Sequence, residues 1–260
     1  MKRILIFPHK FSSGGAKLLA NALSTKRIRD VGGYRKRIGD VIVNWGNTKV
    51  ASFGEANLNV ASAVSNSVDK VKAFSLMREA GIPTVEFVSD KHSANQWLQE
   101  GHTVYARLLT RASGGRGIHI MNPRGLNQPP YNYIPNARLY TKGVLGDEYR
   151  LHVFCGEVID YTKKVPLRPV STQGFLIKNH ENGWTFARNI QRRASLETLA
   201  IQAVKALGLD FGAVDIIMVE GSKGKNTWPR ILEVNSSAGI SGRTVGVYAE
   251  AIKKFVNNLR

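Results

Sequence analysis

The sequence predicts a mixed fold: an α/β layer at the N-terminus followed by α+β pieces. Three observations carry this. RILIF runs through FSSGG into the helix-forming AKLLANAL, a strand, a Gly/Ser turn and a helix. Two β-rich stretches, TVYARLLTRASGGRGIHIM and ARLYTKGVLGDEYRLHVFCGEVIDYTKKV, come after helical segments. Finally, AVDIIMV and RILEVN flank the polar loop EGSKGKNTWP, as in a hairpin.

Taken in order, the first strand spans 3–7 and the first helix 16–23, with a second strand at DVIVNW (40–45) and a turn-rich connection after it. These form a small α/β lobe, roughly 1–62. The Gly/Ser turn at 12–15 reads either as an anion site at a helix N-terminus or as an ordinary βα loop. In DKVKAFSLMREAGIPTVEFVSD, Val71, Phe74, Leu76, Met77 and Ile82 recur at helical spacing, and Gly81 and Pro83 close the helix. A strand at 84–88 and a helix over 92–99 follow. Glu148, Arg150, His152 and Phe154 alternate with Tyr149, Leu151 and Val153, and Gly156 begins the turn into a partner strand from Val158. Residues 194–208 form an amphipathic helix ended by Gly208. Strands at 213–219 and 230–235 precede a terminal helix from about Val247.

Composition narrows the classes. The chain has 260 residues, 43% of them hydrophobic, enough for one large domain or two or three lobes. Lys and Arg number 37 against 19 Asp and Glu, a net charge of +18, which favours an acidic partner. The single cysteine, Cys155, excludes an intramolecular disulfide and a cysteine-based zinc site. In LHVFC it reads as a small core residue. No stretch reads as a signal peptide or a bilayer span, so the expectation is a soluble cytoplasmic protein without a membrane partner.

The chemistry gathers in two places. On the last hairpin, Glu233 and Asn235 interrupt an apolar strand, and a carboxylate and a carboxamide on one buried face are costly unless satisfied. With the loop centred near 225, Asp215 falls opposite Asn235 and beside Glu233. Three oxygen donors without His or Cys suit Mg²⁺, and the bland alternative is a hydrogen-bonded polar cluster at a sheet end. In YARLLTRASGGRGIHI, a strand carrying Arg107 enters Ser113, Gly114, Gly115, Arg116 and Gly117 and returns as a strand. Glycines admit a phosphate to the backbone N–H groups, although many hairpins are glycine-rich for turn geometry alone. No GK[ST] follows, so this is not a Walker loop.

The two features in this order resemble the ATP-grasp superfamily, most closely the branch that adds amino acids to a carboxylate, such as the glutamate ligases. The resemblance is strong from Asp69 to Gly242 and looser before it. It implies a preliminary lobe (1–62), a central lobe bearing the Gly loop (63–142) and a C-terminal lobe bearing the metal site (143–260), with ATP held between two sheets. By this resemblance Arg107 stands where the family has a phosphate-binding lysine, and 113–117 are the loop over the phosphates. Leu139, Tyr140 and Thr141 match the segment at the adenine. Glu148 matches a ribose-binding acid and Arg150 an arginine facing the acyl phosphate. Lys163, Lys178 and Asn179 lie where further phosphate and metal contacts come. Asp215, Glu233 and Asn235 match the metal set, and Ser236, Gly239 and Arg243 follow near the acceptor. Two departures stand out. Arg107 keeps the charge but with planar geometry, and Ala238 replaces a usual proline, leaving the loop less rigid.

The implied activity is ATP-dependent ligation of a carboxylate to an amine through an acylphosphate, with ADP and phosphate released, using ATP and Mg²⁺ (or Mn²⁺). Arg150, Arg243 and Lys163 are the expected catalytic residues. His152 reads as a core histidine with no role. The run KRIRDVGGYRKR is either a solvated basic loop or a docking surface for an acidic peptide, protein or nucleic acid. The rival class is a nucleic-acid-binding protein with a degenerate or regulatory ATP site. Against it, no nucleic-acid motif appears and no aromatics interleave the basic run.

Overall fold

The computed structural model describes residues 2–30, 32–49, 56–111, 115–123, 134–167, 169, 177–220 and 227–259. Among them are three sheets. The first is parallel, in the order β2-β1-β3-β4, from β1 (Arg3–Pro8), β2 (Lys26–Arg27), β3 (Asp40–Trp45) and β4 (Ala56–Leu58). Its first helix, α1 (Gly14–Ala22), starts at Ser13, whose hydroxyl accepts from the Ala16 N–H at 3.5 Å. This sheet, α1 and the last helix, α6 (Arg243–Asn258), close on Ile6, Leu19, Val43, Trp45, Phe211, Tyr248 and Ile252. β2 and β4 lie in stretches the pattern leaves as loop, because strands of two and three residues carry no periodicity.

The second sheet has the antiparallel order β5-β8-β6-β7, from β5 (Phe87–Val88), β6 (Val104–Arg107), β7 (Ile118–Met121) and β8 (Leu139–Lys142). Helix α4 (Lys91–Gln99) covers it through Ala94 and Leu98. The strand expected at 84–88 is shorter, since Thr84 only bridges to Ile231.

The third sheet is antiparallel, in the order β11-β10-β9-β12-β13: β9 (Gly146–Phe154), β10 (Glu157–Pro166), β11 (Trp184–Ala187), β12 (Phe211–Glu220) and β13 (Thr227–Asn235). Helices α2 (Ala61–Val68), α3 (Lys70–Glu79) and α5 (Ala194–Ala206) cover one face. Phe74, Met77, Leu199 and Ala203 pack there on Leu151, Val153, Val214, Ile216 and Ile231. Each such aliphatic side chain, fully buried, contributes about 1.5–3 kcal/mol. The alternation in β9 therefore leaves Glu148, Arg150 and His152 on the opposite face.

Two expectations are corrected. Cys155 is exposed, with φ +46°, in the β9–β10 turn. The apolar run ends one residue earlier, at Phe154. The terminal helix begins at Arg243, before the expected 247. Thr244 pins that start, donating its hydroxyl to Asp160 at 2.7 Å and accepting from Arg188 at 2.8 Å. Among the described residues no helix is long and apolar enough to cross a membrane.

Candidate active-site cleft

The free face of the third sheet meets the second sheet across a cleft of ≈180 Å³. Among the described residues its charged lining comprises seven cations, Lys70, Arg107, Arg116, Lys142, Arg150, Lys164 and Lys178, against Glu148, Asp215 and Glu233. That imbalance suits a polyanion.

Strand register explains the floor. Asp215 lies opposite Arg150 on β9 and Glu233 on β13, so three charges form one row. Arg150 donates from Nε and Nη2 to the two Asp215 oxygens, both at 2.7 Å. Burial pushes the Asp215 carboxyl up, but Arg150 and then Lys164 more than offset this and hold it at about 2. One row away, Lys164 bonds Glu148 at 2.7 Å, with Lys178 at 3.8 Å. Phe186 of β11 lies over Arg150 at 5.0 Å. Beneath the row, His152 is buried, with its Nδ1 3.1 Å from the Tyr248 hydroxyl. Burial pulls its pKa down to about 4, so the ring is neutral.

The roof is β6 and the glycine hairpin. Arg107 is partly buried in the cleft wall, and its Nε, shielded from solvent, has no acceptor among the described residues. Burial lowers its pKa, opposed by Glu233. Gly115 and Gly117 have φ of +81° and +72°, where L-residues with a Cβ are strained. A Cβ on Gly117 would also come within 2.8 Å of Leu109. Ser113 and Gly114 lie outside the described residues. Lys70 links roof to floor, with its N–H on Thr110 O at 3.2 Å and its Nζ on Glu233 at 3.0 Å.

Of the residues singled out from sequence, Arg107, Gly115, Arg116, Thr141, Glu148, Arg150, Lys178, Asn179, Asp215 and Glu233 line this one cleft. Others do not. Leu139 and Tyr140 are buried in separate cores, because β8 is covered on both faces, and the Tyr140 hydroxyl donates to Pro135 O at 2.6 Å. Lys163 points away, reaching Asp147 at 2.6 Å, since it is out of phase with Lys164 on β10. Arg243 is exposed at the start of α6. Asn235 lies opposite Ala213, not Asp215. The cause is the turn: Glu220 pairs with Thr227, so the hairpin closes earlier than a loop centred near 225 implies, and a bulge follows, where Asp215 pairs with Glu233 but Ile216 with Ile231, leaving Leu232 extra. Leu232 and Glu233 therefore both line the cleft while Ile231 enters the core, which alternation alone would forbid.

Lys70, Lys142 and Lys164 are the cleft cations that sequence reasoning missed. Lys164 was hidden by a register shift between Val158 and Asp160, since the pairing of Glu157 with Phe154 and Val158 with Val153, continued unbroken, would set Lys163 opposite Glu148. Lys70 follows Asp69, which caps α3 by accepting from Val71 N at 3.1 Å.

The donor set bears on a metal. Among the described residues no three His, Cys, Asp or Glu side chains converge. Asp215 has both oxygens on Arg150, whereas Glu233 uses only Oε1, toward Lys70. Asn235, two residues along β13, is half-buried. One carboxylate and one carboxamide fit Mg²⁺, which is usually held by one or two carboxylates together with substrate phosphates.

The fold has known relatives. The structure of the ATP-grasp ligase PsnB complexed with a minimal precursor superposes with a TM-score of 0.67 over 97% of this chain and 99% of that one, at 15% identity. D-alanyl-alanine synthetase A from Vibrio cholerae gives 0.67 over 99% and 98%, at 13% identity. The chain has the ATP-grasp fold. In sequence, it is similar to proteins described as probable α-L-glutamate ligases. That of Parasynechococcus marenigrum is 29% identical over 201 residues, 74% of this chain and 40% of its relative. That of Marinomonas sp. is 28% identical over 222 residues, 79% and 68%. The chain thus spans less than half of the first relative and about two thirds of the second. No family model matches.

Proposed function

We propose that the protein is an ATP-dependent carboxylate–amine ligase that joins an amino acid or amine to a peptide or small carboxylate through an acylphosphate. The observation that carries this reading is the cleft itself, cation-rich, roofed by a glycine hairpin and floored by Glu233. The similarity to α-L-glutamate ligases supports an amino-acid substrate, and PsnB, solved with a precursor, supports a peptide one.

A carboxylate is a poor acyl donor. Transfer of the terminal phosphoryl of ATP to a carboxylate oxygen makes a mixed anhydride and releases ADP. The amine nitrogen then attacks the carbonyl carbon, phosphate leaves, and the nitrogen loses a proton. Such a transfer depends mainly on positioning and charge neutralisation. Lys70, Arg107 and Lys178, with the Gly115 region, hold the phosphates, while Thr141 and Lys142 border the base. Glu233 and Asn235 would hold Mg²⁺, or Mn²⁺ in its place, which would neutralise phosphate charge. Arg150, fixed by Asp215, faces the acyl phosphate. The glycine turn at 115–117 would exclude water, which would hydrolyse the anhydride. Lys163 and Arg243 have no part in this scheme. The nucleic-acid reading is the weaker one, because this donor set is suited to phosphoryl transfer.

The test is chromatography of nucleotide products with MgATP and a panel of amino acids and acidic peptides, with hydroxylamine as a trap. ADP and a hydroxamate are expected. AMP and pyrophosphate as the main products would overturn the mechanism.

A further inference from the structure

Half of the charge excess lies away from the cleft. Residues 1–49 carry eleven Lys and Arg against Asp30 and Asp40 alone, which is +9 of the chain's +18. Both acids are engaged. Asp40 accepts from Arg3 Nε and Nη2 at 2.7 Å, and Asp30 accepts from the Gly33 N–H at 2.7 Å.

The basic run divides between opposite ends of the first sheet. Arg35, Lys36 and Arg37 precede the first residue of β3, and Arg35 O accepts from Arg3, the first residue of β1, at 3.2 Å. Arg27 and Arg29 lie at the other end, where β1 turns through Lys10 and Phe11 into α1. There Phe11 is 45% exposed, with the Arg27 guanidinium 4.2 Å and that of Arg29 5.9 Å from its ring centroid. Lys10 and Arg29 are exposed.

That end adjoins the cleft's floor strand. The loop leaving β13 after Asn235 packs on it closely: a Cβ on Gly46 would fall 2.6 Å from Ser237, and one on Gly15 3.3 Å from Ala238 O. In parallel α/β sheets the carboxyl ends of the strands are where ligands bind.

We propose that Lys10, Phe11, Arg27 and Arg29 form a docking surface for an acidic polypeptide segment of the acceptor, leading it toward the loop after β13. This rests on the ligase reading. Guanidinium groups braced on an aromatic ring present planar pairs of donors that match carboxylates. The exposed ring between them suits the apolar stem of glutamate. Single-strand nucleic-acid sites instead offer several aromatic faces on which successive bases stack, and this surface has the one ring of Phe11, with Arg27 over one of its faces.

The test is fluorescence anisotropy of the full chain with a labelled oligoglutamate peptide, its glutamine counterpart and a single-stranded oligonucleotide. Two double variants carry equal charge change, Lys10→Glu with Arg29→Glu and Arg35→Glu with Arg37→Glu, and thermal melts establish that both fold. The first pair should weaken oligoglutamate binding by about tenfold or more, and the second by less than about threefold. Phe11→Ala should weaken it as well. Equal loss in both pairs would mean general electrostatics and overturn the proposal. So would equal binding of the glutamine peptide, or tighter binding of the oligonucleotide. A wild-type protein that binds ADP but no oligoglutamate would overturn the docking surface and leave the ligase reading intact. Failure to bind ADP would instead remove the reading beneath it.

Discussion

Arg150 and Asp215 face each other across β9 and β12 and close two parallel N–H···O bonds of 2.7 Å at the cleft floor. Both carboxylate oxygens are thereby committed, and the guanidinium is held in one orientation. Asp215 is on this geometry the brace of Arg150, and under the proposed ligase reading metal binding would fall to Glu233 and Asn235.

The two acids should therefore fail differently. Asp215→Asn leaves a mostly buried guanidinium short of its counter-charge, which costs about 3–5 kcal/mol. Glu233→Gln alters a partly exposed side chain and keeps an oxygen to accept from Lys70, so stability should fall less than in Asp215→Asn. Turnover should nevertheless stop. Urea unfolding of both variants, beside an ADP-release assay, checks this. Equal stability losses would return Asp215 and Glu233 to equivalent roles.

Adjacent lysines on β10 give a second contrast. Lys164 reaches buried Glu148 inside the cleft, whereas Lys163 reaches exposed Asp147 outside it. Lys164→Ala should lower kcat/KM for ATP by about tenfold or more, the loss of one charged hydrogen bond. Lys163→Ala should stay within about twofold, as for a surface pair. Steady-state kinetics at varied ATP decide it, and matching losses would sink the assignment by strand phase.

These lysines also mark the limit of reading the chain alone. Period-two alternation in β9 was legible because Leu151 and Val153 must meet the helices, which sends Arg150 and His152 the other way. The glycine hairpin and the β12–β13 hairpin were legible for similar local reasons. Register between strands was not. It depends on where the turn is centred: Glu220 pairs with Thr227, whereas a loop centred near 225 sets Asp215 opposite Asn235, two residues beyond its partner Glu233. Lys70 was hidden for another reason. Its helix shows a core stripe through Phe74 and Met77, and only the packing of the second sheet turns the first residue into the cleft.

Acid sensitivity should trace to His152. Burial holds its folded-state pKa near 4, below the unfolded 6.5, so the unfolded chain binds the proton first. Stability attributable to the neutral ring is complete above about pH 6.5 and lost as pH falls toward 4, by up to about 3 kcal/mol. Asp215 adds its own loss only lower, as pH drops from about 3.8 toward 2. Denaturant titrations at pH 7 and pH 5 should show a drop that His152→Phe flattens. A wild-type protein equally stable at both would mean that the ring is not shielded as its contact with Tyr248 implies.

Arg107 offers the sharpest test, because its stability and binding effects should have opposite signs. Its side chain is partly buried, burial lowers its pKa, and its shielded Nε lacks an acceptor among the described residues. Leaving a charged donor unpaired in a buried site costs free energy. Without ligand, Arg107→Ala should therefore be at least as stable as the wild type. Phosphate oxygens would supply the missing acceptors, so the same variant should bind ADP and ATP about 1.5–3 kcal/mol more weakly, the range for a hydrogen bond to a charged group. Arg107→Lys restores the charge but not the planar fork and should recover only part of that affinity. Calorimetric titration of ADP and ATP, paired with thermal melts of the free proteins, reads both quantities. Wild-type affinity in Arg107→Ala would leave the phosphates to Lys70, Lys178 and the hairpin. Weakened binding together with lost stability would mark Arg107 as a structural residue whose partner lies elsewhere.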